Sequence, residues 1–273
     1  MTRPVTRIAP TPSGYLHLGN AVNFVLTHWW ARAHDARLIL RIDDFDTGRE
    51  RDRYLEDVFA TIAWLGITVD EGPADADEFR ARWSMSHRTG AFRAARDRLL
   101  ADHPELVFVC RCSRGQLDGA GRCAAGCLAA GMRLEAGRSA VRLRVPAGTR
   151  ARIGPDLVDV PEGDHVLWRR DDLPAYQLGS VVVDEELGVT TLVRGLDLLE
   201  SSALQVHLAE LLPAPGLRGA QLLHHALLTS ADGTKLSKSA GSQAQPLERT
   251  AALRAEVAER AAAVGRPLGI TPP

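Results

Sequence analysis

Residues 7–20, "RIAPTPSGYLHLGN", hold the pattern that decides the fold of this 273-residue chain. A strand-like run ends in a turn with two prolines and a glycine, and a helix is predicted from about His17 to Arg32. A helix N-terminus carries unpaired N–H groups and a partial positive charge, which favour a bound phosphate. The stretch is therefore either an ordinary strand-to-helix turn or a nucleotide site in which His17 faces the phosphates.

The sequence on either side predicts an α/β fold with a parallel sheet. Residues 5–9 and 36–43, "VTRIA" and "ARLILRID", read as apolar strands, and helices are expected at 50–65 and 84–101. Apolar strands that alternate with helices are typical of a parallel sheet covered on both faces. Residues 176–195, "YQLGSVVVDEELGVTTLVRG", are predicted to be strand-rich, and "LESSALQVHLAELL", which follows shortly after, is predicted to be an amphipathic helix.

The sequence also predicts how the chain is divided into domains. Residues 1–105 and 172–245 are expected to form one α/β domain that an insertion splits in two. The insertion is residues 106–171, where short alternating runs such as "AVRLRVPAG" replace the strand–helix order. Residues 246–273 are predicted to be a short helical tail rich in Ala, Arg and Glu.

Composition and charge narrow the class of protein. The net charge of −1 means that a nucleic-acid partner would be held by a local basic face rather than by the field of the whole chain. No apolar run approaches the roughly 20 residues that span a bilayer. The N-terminus, "MTRPVTRIAP", lacks the apolar core of a secretory signal. We therefore expect a cytoplasmic protein with no membrane partner.

Two lysines stand out in the loop "TSADGTKLSKSAGS". Of the 33 basic residues only Lys235 and Lys238 are lysine, whereas the other 31 are arginine. A surface charge tolerates either residue, but a compact ammonium on a flexible stem suits a phosphate oxygen. Chance is the alternative explanation for the pair. Together with His17, these lysines are candidates for stabilising the charge on a phosphoryl group during its transfer.

All four cysteines lie in one segment, "CRCSRGQLDGAGRCAAGC", at residues 110–127. Four thiols so close together, in a chain without a signal peptide, are typical of a tetrahedral zinc site rather than of disulfides. Cys123 is alternatively a small buried residue that does not bind metal. The sequence therefore predicts one structural zinc ion.

Four stretches together resemble class I aminoacyl-tRNA synthetases of the glutamyl type. The opening turn is similar to that family's first signature, the "HIGH" element, in its glutamyl form "RFAPSPTGxLHIG", and "KLSKS" is similar to the second signature, "KMSKS". Between them, "RIDDFD…WLGITVDEGP" and "YQLGSVVVDEELGVTTLVRGLDLL" resemble the glutamyl "RIEDTD…WDEGP" and "YQLAVVVDD" stretches. The resemblance runs from about residue 7 to 242 and implies a Rossmann-like catalytic domain.

The similarity is strongest to a shortened branch of that family, the glutamyl-Q tRNA(Asp) synthetases. The chain ends about 30 residues after Lys238, so no anticodon-binding domain of the kind found in full glutamyl synthetases is expected. Cys110, Cys112 and Cys127 correspond to the branch's zinc knuckle, and Cys123 stands where it usually has tyrosine. The branch implies that ATP, with magnesium, activates L-glutamate, which is then transferred to queuosine at the wobble position of tRNA(Asp). A monomer is expected.

Carried over residue by residue, the resemblance implies two groups of site residues. His17, Gly19, Asn20 and Lys238 would bind ATP, and His17 would act with Lys235 and Lys238 in catalysis. The residues implied to hold the amino acid are Arg7, Ala9, Thr11, Asp43, Tyr176 and Arg194.

Some of these positions have structural interpretations, and three depart from the family pattern. Arg7 could be a strand-end charge, Tyr176 a residue at the edge of the core, and Arg194 a structural ion-pair partner of a nearby aspartate. Asp43 replaces a glutamate, Val183 replaces an acid and Ser180 replaces a valine, which leaves open which amino acid is selected. Two other functions also stay open. The chain could pass an activated amino acid to a small molecule or carrier protein, or it could be a non-catalytic binding protein.

Overall fold

The structure, a computed structural model, describes residues 3–45, 52–123, 126–228 and 245–273. Its helices and strands are, in chain order, β1 (Val5–Ile8), α1 (Leu18–Ala33), β2 (Arg37–Leu40), α2 (Asp52–Leu65), α3 (Ala76–Glu78), α4 (Thr89–Asp102), β3 (Val107–Cys110), β4 (Ala140–Val145), β5 (Arg150–Ile153), β6 (Asp156–Asp159), β7 (Gly163–Trp168), α5 (Tyr176–Glu186), β8 (Thr191–Gly195), α6 (Leu199–Leu211), α7 (Pro215–Arg218), β9 (Gln221–His225) and α8 (Ala251–Gly265).

The chain forms two compact units. The first contains Met1–His87, Val189–Leu198 and Ala220–Pro273, and the second contains Arg88–Gly188 and Leu199–Gly219. The predicted insertion, 106–171, therefore lies within the second unit, together with helices on both sides of it in sequence. The predicted domain boundaries themselves stay a prediction.

The first unit has the predicted parallel strands. Strand β1 pairs in parallel with β2, and β8 pairs in parallel with β9. The Thr190 N–H, just before β8, donates to the Val5 carbonyl at 2.9 Å, which links the two pairs through β1. The apolar residues of β2, Leu38, Ile39 and Leu40, are buried, as expected for a strand covered on both faces. The prediction of a parallel α/β fold is confirmed.

Helices α1, α2 and α8 contribute to one apolar core in this unit. The tail helix, predicted within 246–273, is confirmed as α8, and it packs against α1. Gly265 makes that approach possible, because a Cβ there would stand 2.6 Å from a Leu26 methyl and 2.7 Å from the Ile270 carbonyl oxygen. No helix among the described residues is long and apolar enough to cross a membrane.

The second unit is built on antiparallel pairing. Strands β3, β4 and β7 form a three-stranded sheet with β4 in the centre, and β5 and β6 form a separate hairpin. These strands correspond to the alternating runs that indicated a change of pattern after residue 106. Helix α4 begins at Thr89, after a 3₁₀ turn at Met85–Arg88, so the helix predicted at 84–101 starts later than expected.

The expectation of strand-rich sequence at 176–195 is wrong for its first half. Tyr176–Glu186 is helix α5, and only Thr191–Gly195 is a strand. The three consecutive valines favour a strand by propensity, but tertiary packing overrides that preference because the helix buries one face within the unit. Gly188, with φ of 66°, provides the left-handed residue that ends the helix. The predicted helix at "LESSALQVHLAELL" is confirmed as α6.

Candidate functional site

The turn between β1 and α1 lines an open polar cavity of about 180 Å³, here called the turn cavity. It lies beyond the carboxyl end of strand β1, which is where ligands bind in open parallel sheets. Ala9 and Thr11, which are predicted to bind the amino acid, line the cavity together with His17 and Asn20, which are predicted to bind ATP. Pro10 and Tyr15 are also among its walls.

His17 is the N-cap of α1, with its ring fixed by the first turn of the helix. Its Nδ1 accepts a hydrogen bond from the Gly19 N–H at 3.1 Å, and the Asn20 Oδ1 accepts one from the His17 N–H at 3.0 Å. A ring nitrogen that accepts is not protonated, so in the neutral imidazole the proton is on Nε2. This tautomer leaves Nε2–H as the donor of the ring, and the N-terminus of α1 adds positive potential beside it.

Gly19 allows the histidine ring to lie against the helix. A Cβ at this position would be 3.0 Å from the His17 Cε1 and 3.1 Å from Nδ1, which is closer than ordinary van der Waals contact. Sequence reasoning attributed Gly19 to the close approach of a ligand. In the structure, the group closest to a Cβ at position 19 is instead the His17 imidazole.

Strands β1 and β2 continue their ladder past their ends and bring Asp43 to the turn. The Asp43 N–H donates to the Pro10 carbonyl at 2.8 Å. The Asp43 carboxylate is buried and accepts from the Arg41 guanidinium at 2.7 and 2.9 Å. Arg7 is buried in β1, two residues before Ala9. Asp43 thus carries a bidentate arginine partner that sequence reasoning did not foresee.

Arg194 occupies the equivalent end of β8. It is buried and is paired in register with His224 of β9. Burial lowers the pKa of His224 to about 4, and the nearby charge of Arg194 adds to the effect. Burial also lowers the pKa of His225, whose Nε2 is 3.2 Å from the Asn23 amide nitrogen of α1. Both imidazoles are therefore neutral at pH 7.

The remaining predicted substrate contacts lie elsewhere or outside the described residues. Tyr176 is half-buried and is the first residue of α5, in the second unit. Ser180 and Val183, two of the departures from the family pattern, are fully buried on the same helix. The loop with Lys235 and Lys238 lies outside the described residues.

A buried aspartate of α2, Asp57, was missed by sequence reasoning. Its Oδ2 accepts from the Leu16 N–H at 3.0 Å, one residue before His17, and its Oδ1 pairs with the Arg249 guanidinium. The sequence does contain a signal for it, because Asp57 shares the apolar face of α2 with Val58 and Thr61. No local pattern indicates Arg249.

The second candidate site is the cysteine cluster (Cys110, Cys112, Cys123 and Cys127). All four residues are buried, and their sulfur atoms lie within 4.8 Å of one another. The Cys112 sulfur is 3.3 Å from that of Cys123 and 3.7 Å from that of Cys127. Tetrahedral zinc with Zn–S bonds of about 2.3 Å places sulfurs about 3.8 Å apart. The cluster therefore has the donors, the burial and the spacing for one metal ion.

Two backbone N–H groups of the cluster donate hydrogen bonds, one to a sulfur and one to a neighbouring carboxylate. The Cys112 N–H donates to the Cys110 sulfur at 3.3 Å, and the Cys123 N–H donates to the buried Asp164 carboxylate at 2.6 Å. Burial favours a higher pKa for Asp164, but hydrogen bonds and charge from Arg144 outweigh it and lower the pKa. Without a metal, mutual hydrogen bonding with Cys123 and burial raise the pKa of Cys112. A bound cation would reverse that tendency.

The arginines of helix α4 do not form an unpaired basic face. Arg93 pairs with Asp172 at 2.6 Å, and Arg98 pairs with Asp102 at 3.1 Å. Arg96 pairs with Asp97 and also stacks on Trp168, with its guanidinium carbon 4.5 Å from the ring centroid. Each of these charges has an acidic partner, which weakens the case for α4 as the local basic face that a nucleic-acid partner would need.

Comparison with known proteins places the chain among the tRNA synthetases. The family profile described as tRNA synthetases class I (E and Q), catalytic domain, matches residues 4–122 and 132–259. A glutamyl-Q tRNA(Asp) synthetase of Burkholderia cenocepacia is 37% identical over 261 residues, which are 89% of this chain and 82% of the relative. The protein of the same name from Pseudomonas aeruginosa is 38% identical over 259 residues, covering 91% of this chain and 82% of the relative.

A solved structure gives the same fold. The glutamate-tRNA synthetase of Elizabethkingia anophelis superposes with a TM-score of 0.69 at 23% sequence identity. The match covers 88% of this chain and 53% of that one, so this chain spans about half of that longer protein. With the sequence profile covering most of its length, the chain belongs to the class I tRNA synthetases (E and Q), as their catalytic domain.

Proposed function

We propose that the protein is a ligase that uses ATP to activate L-glutamate and transfers it to queuosine at the wobble position of tRNA(Asp). One observation carries the proposal most directly: the turn cavity places the His17 ring at a helix N-terminus among predicted ATP and amino-acid contacts. The names of the relatives, which match over about nine-tenths of this chain, support the choice of glutamate and of the acceptor.

In the first step, a carboxylate oxygen of glutamate attacks the α-phosphorus of ATP. The bond between that phosphorus and the bridging oxygen breaks, so pyrophosphate leaves and glutamyl-adenylate forms. His17 donates from Nε2 to a phosphate oxygen, with Nδ1 held by the Gly19 N–H. Asn20 holds the His17 backbone, and the N-terminus of α1 favours the negative charge.

The amino acid is held by the strand ends. Arg7 and Arg194 each offer a guanidinium fork that suits a carboxylate of glutamate, and Ala9 and Thr11 line its approach. Asp43, whose carboxylate is oriented by the Arg41 guanidinium, accepts from the α-amino group. Tyr176, which the resemblance implies as a further contact of the amino acid, stays a prediction.

The two lysines interact with the phosphates of ATP. Lys235 and Lys238 stabilise the charge that develops on the α-phosphate and on the leaving pyrophosphate. Magnesium, when bound with ATP, supplies further charge neutralisation on the phosphates.

In the second step, a hydroxyl of queuosine attacks the acyl carbon of the adenylate. The hydroxyl loses its proton, the bond from the acyl carbon to the phosphate oxygen breaks, and AMP leaves.

The enzyme acts in the cytoplasm as a monomer.

The cysteine cluster holds one structural zinc ion in this proposal. The four thiolates would be enough to hold a zinc ion without a further ligand, which is typical of structural sites. Asp164 orients the Cys123 backbone, and the Cys112 N–H stabilises the charge on the Cys110 sulfur.

The first test is ATP–pyrophosphate exchange, measured with each standard amino acid and without RNA. We expect exchange with L-glutamate, and we expect His17→Ala to remove it. Exchange with another amino acid would contradict the choice of glutamate and would indicate that the departures from the family pattern have changed which amino acid is selected. No exchange, with or without tRNA, would contradict adenylation itself.

The second test identifies the acceptor. Labelled glutamate is incubated with ATP and with tRNA(Asp) that carries or lacks queuosine. We expect label in the RNA only when queuosine is present. Label found solely on a small molecule or a carrier protein from a cell extract would overturn this acceptor and support the alternative function.

A further inference from the structure

Helix α2 contacts both the N-terminal turn and the segment that follows the two-lysine loop. Asp57 lies on the buried face of α2, and its side chain is 2% exposed. One carboxylate oxygen accepts from the Leu16 N–H at 3.0 Å, and the other pairs with the Arg249 guanidinium. A single carboxylate thus joins two segments that lie far apart in the sequence.

On the turn side, this carboxylate fixes the residue that precedes the catalytic histidine. Leu16 is buried and lines the turn cavity, so its N–H has to find its partner inside the protein. The next residue, His17, caps α1 and directs its ring. A shift of the Leu16 backbone would therefore move the imidazole relative to ATP.

On the other side, Arg249 anchors the chain where the described structure resumes after the loop of Lys235 and Lys238. Its guanidinium also lies 3.3 Å from the Thr61 hydroxyl, one turn along α2. Leu247 packs against the apolar core, and the Trp64 ring N–H donates to the Thr250 carbonyl at 3.3 Å. Residues 247–250 are therefore held against α2 by apolar, hydrogen-bonding and ionic contacts.

We propose that Asp57 and Arg249 are positioning residues for adenylation: the pair sets the N-terminal turn that carries His17 and fixes it to the segment that follows the two lysines. The proposal rests on the function proposed above. Neither residue touches substrate. Asp57 acts through the backbone of Leu16, and Arg249 acts by holding residues 247–250 against α2.

The structure supplies a matched control in the same unit. Asp70 also accepts a backbone N–H, that of Leu38, at 2.8 Å, and it pairs with Arg32 at 2.6 Å. This second pair has the same composition but holds the start of β2 rather than the N-terminal turn. Its loss should affect stability without affecting the use of ATP.

The test compares Asp57→Asn and Arg249→Met with Asp70→Asn and Arg32→Met. Melting temperature, ATP affinity by calorimetry, and the kcat and KM of pyrophosphate exchange are measured for each variant. We expect kcat/KM for ATP to fall by about ten- to a hundredfold in the first pair of variants, because small misplacements of reacting groups have effects of this size. The KM for glutamate should stay near the wild-type value, and the control variants should keep wild-type kinetics.

The double variant Asp57→Asn/Arg249→Met adds a readout that a purely structural pair would not produce. If both residues act through one carboxylate, the double variant should lose no more kcat/KM than the more damaging single variant. Loss of melting temperature alone, equal to that of the control variants, would overturn the proposal. If the wild-type protein shows no exchange, the proposed function fails, whereas ATP affinity across the four single variants still tests the pair.

Discussion

The N-terminal turn and the cysteine cluster are stabilised in the same way but over very different distances in the sequence. In each, a buried aspartate accepts an N–H from the site and pairs with an arginine. Asp57 lies 192 positions from Arg249, whereas Asp164 lies 20 positions from Arg144, on the neighbouring strand of one sheet. The cysteine cluster is therefore a local structure, whereas the N-terminal turn depends on the folding of the whole first unit.

This difference explains the kind of site that each region forms. The sulfur atoms of the cysteine cluster face one another, and the neighbouring Asp164 carboxylate accepts from Arg144 at 2.8 and 2.9 Å within one antiparallel sheet. The N-terminal turn leaves a polar cavity open, and its walls come from one short stretch of chain. A closed site suits a structural ion, and an open one suits a substrate.

The largest effect should come from removing a thiol of the cysteine cluster. Cys112→Ser should abolish stoichiometric zinc binding and lower the melting temperature by on the order of 10 °C, because metal binding and folding are coupled. Zinc content and melting curves, with and without a chelator, check this. A variant that keeps one zinc per chain and melts like the wild-type protein would show that Cys112 is not a ligand.

Asp164→Asn should have the next largest effect. It should weaken zinc binding at the cysteine cluster and leave the N-terminal turn unaffected. The substitution leaves the partly exposed Arg144 guanidinium without its acidic partner, and loss of the support for Cys123 should weaken zinc binding by about 10- to 100-fold. ATP affinity should not change, because Asp164 belongs to the local structure of the second unit. Competition with a zinc-binding dye and calorimetry with ATP measure both outcomes, and a parallel loss of ATP affinity would contradict the independence of the two regions.

Gly19→Ala should lower catalysis without lowering stability. The added Cβ would stand 3.0 Å from the His17 ring, so the ring has to move, and kcat/KM for ATP should fall by about tenfold. Gly90 occupies the corresponding second position of α4, where a Cβ meets nothing within 4 Å. Gly90→Ala should be silent in the exchange assay, and equal effects of the two variants would exclude the histidine contact as the cause.

The smallest effect concerns pH. Burial, assisted by Arg194, lowers the pKa of His224 from 6.5 to about 4. Between these values the unfolded chain takes up a proton that the folded chain does not, so the free energy of unfolding falls as the pH drops from about 6.5 to 4. His224→Asn should flatten this slope in urea titrations between pH 7 and 5. An unchanged slope would show that His224 is not the group responsible.

Much of this arrangement could be predicted from local sequence. The parallel strands, the helix after "PSGYLH" and the cysteine spacing are short-range patterns, and the structure has each of them. The valine run of α5 could not be predicted correctly, because a buried helix face and a buried strand look alike over so few residues.

The contacts that support the site could not be predicted from the sequence for a different reason. An N-cap histidine that accepts from Gly19 requires a particular ring orientation, and the Arg41–Asp43 pair requires the strand to end at one residue. The Asp57–Arg249 pair depends on the folded path of nearly the whole first unit. Such contacts follow from tertiary structure, and a single sequence carries only a weak sign of them, such as an acid on the apolar face of α2.

The separation of Asp57 from Arg249 also has a consequence for synthesis of the protein. At translation rates of roughly 5–20 residues per second, Arg249 is added roughly 10–40 s after Asp57. During that interval the nascent chain already contains His17 and the acid that will hold its turn, but the acid has no arginine to neutralise it. The N-terminal turn can therefore reach its final form only after Arg249 has been added, long after His17 itself was synthesised.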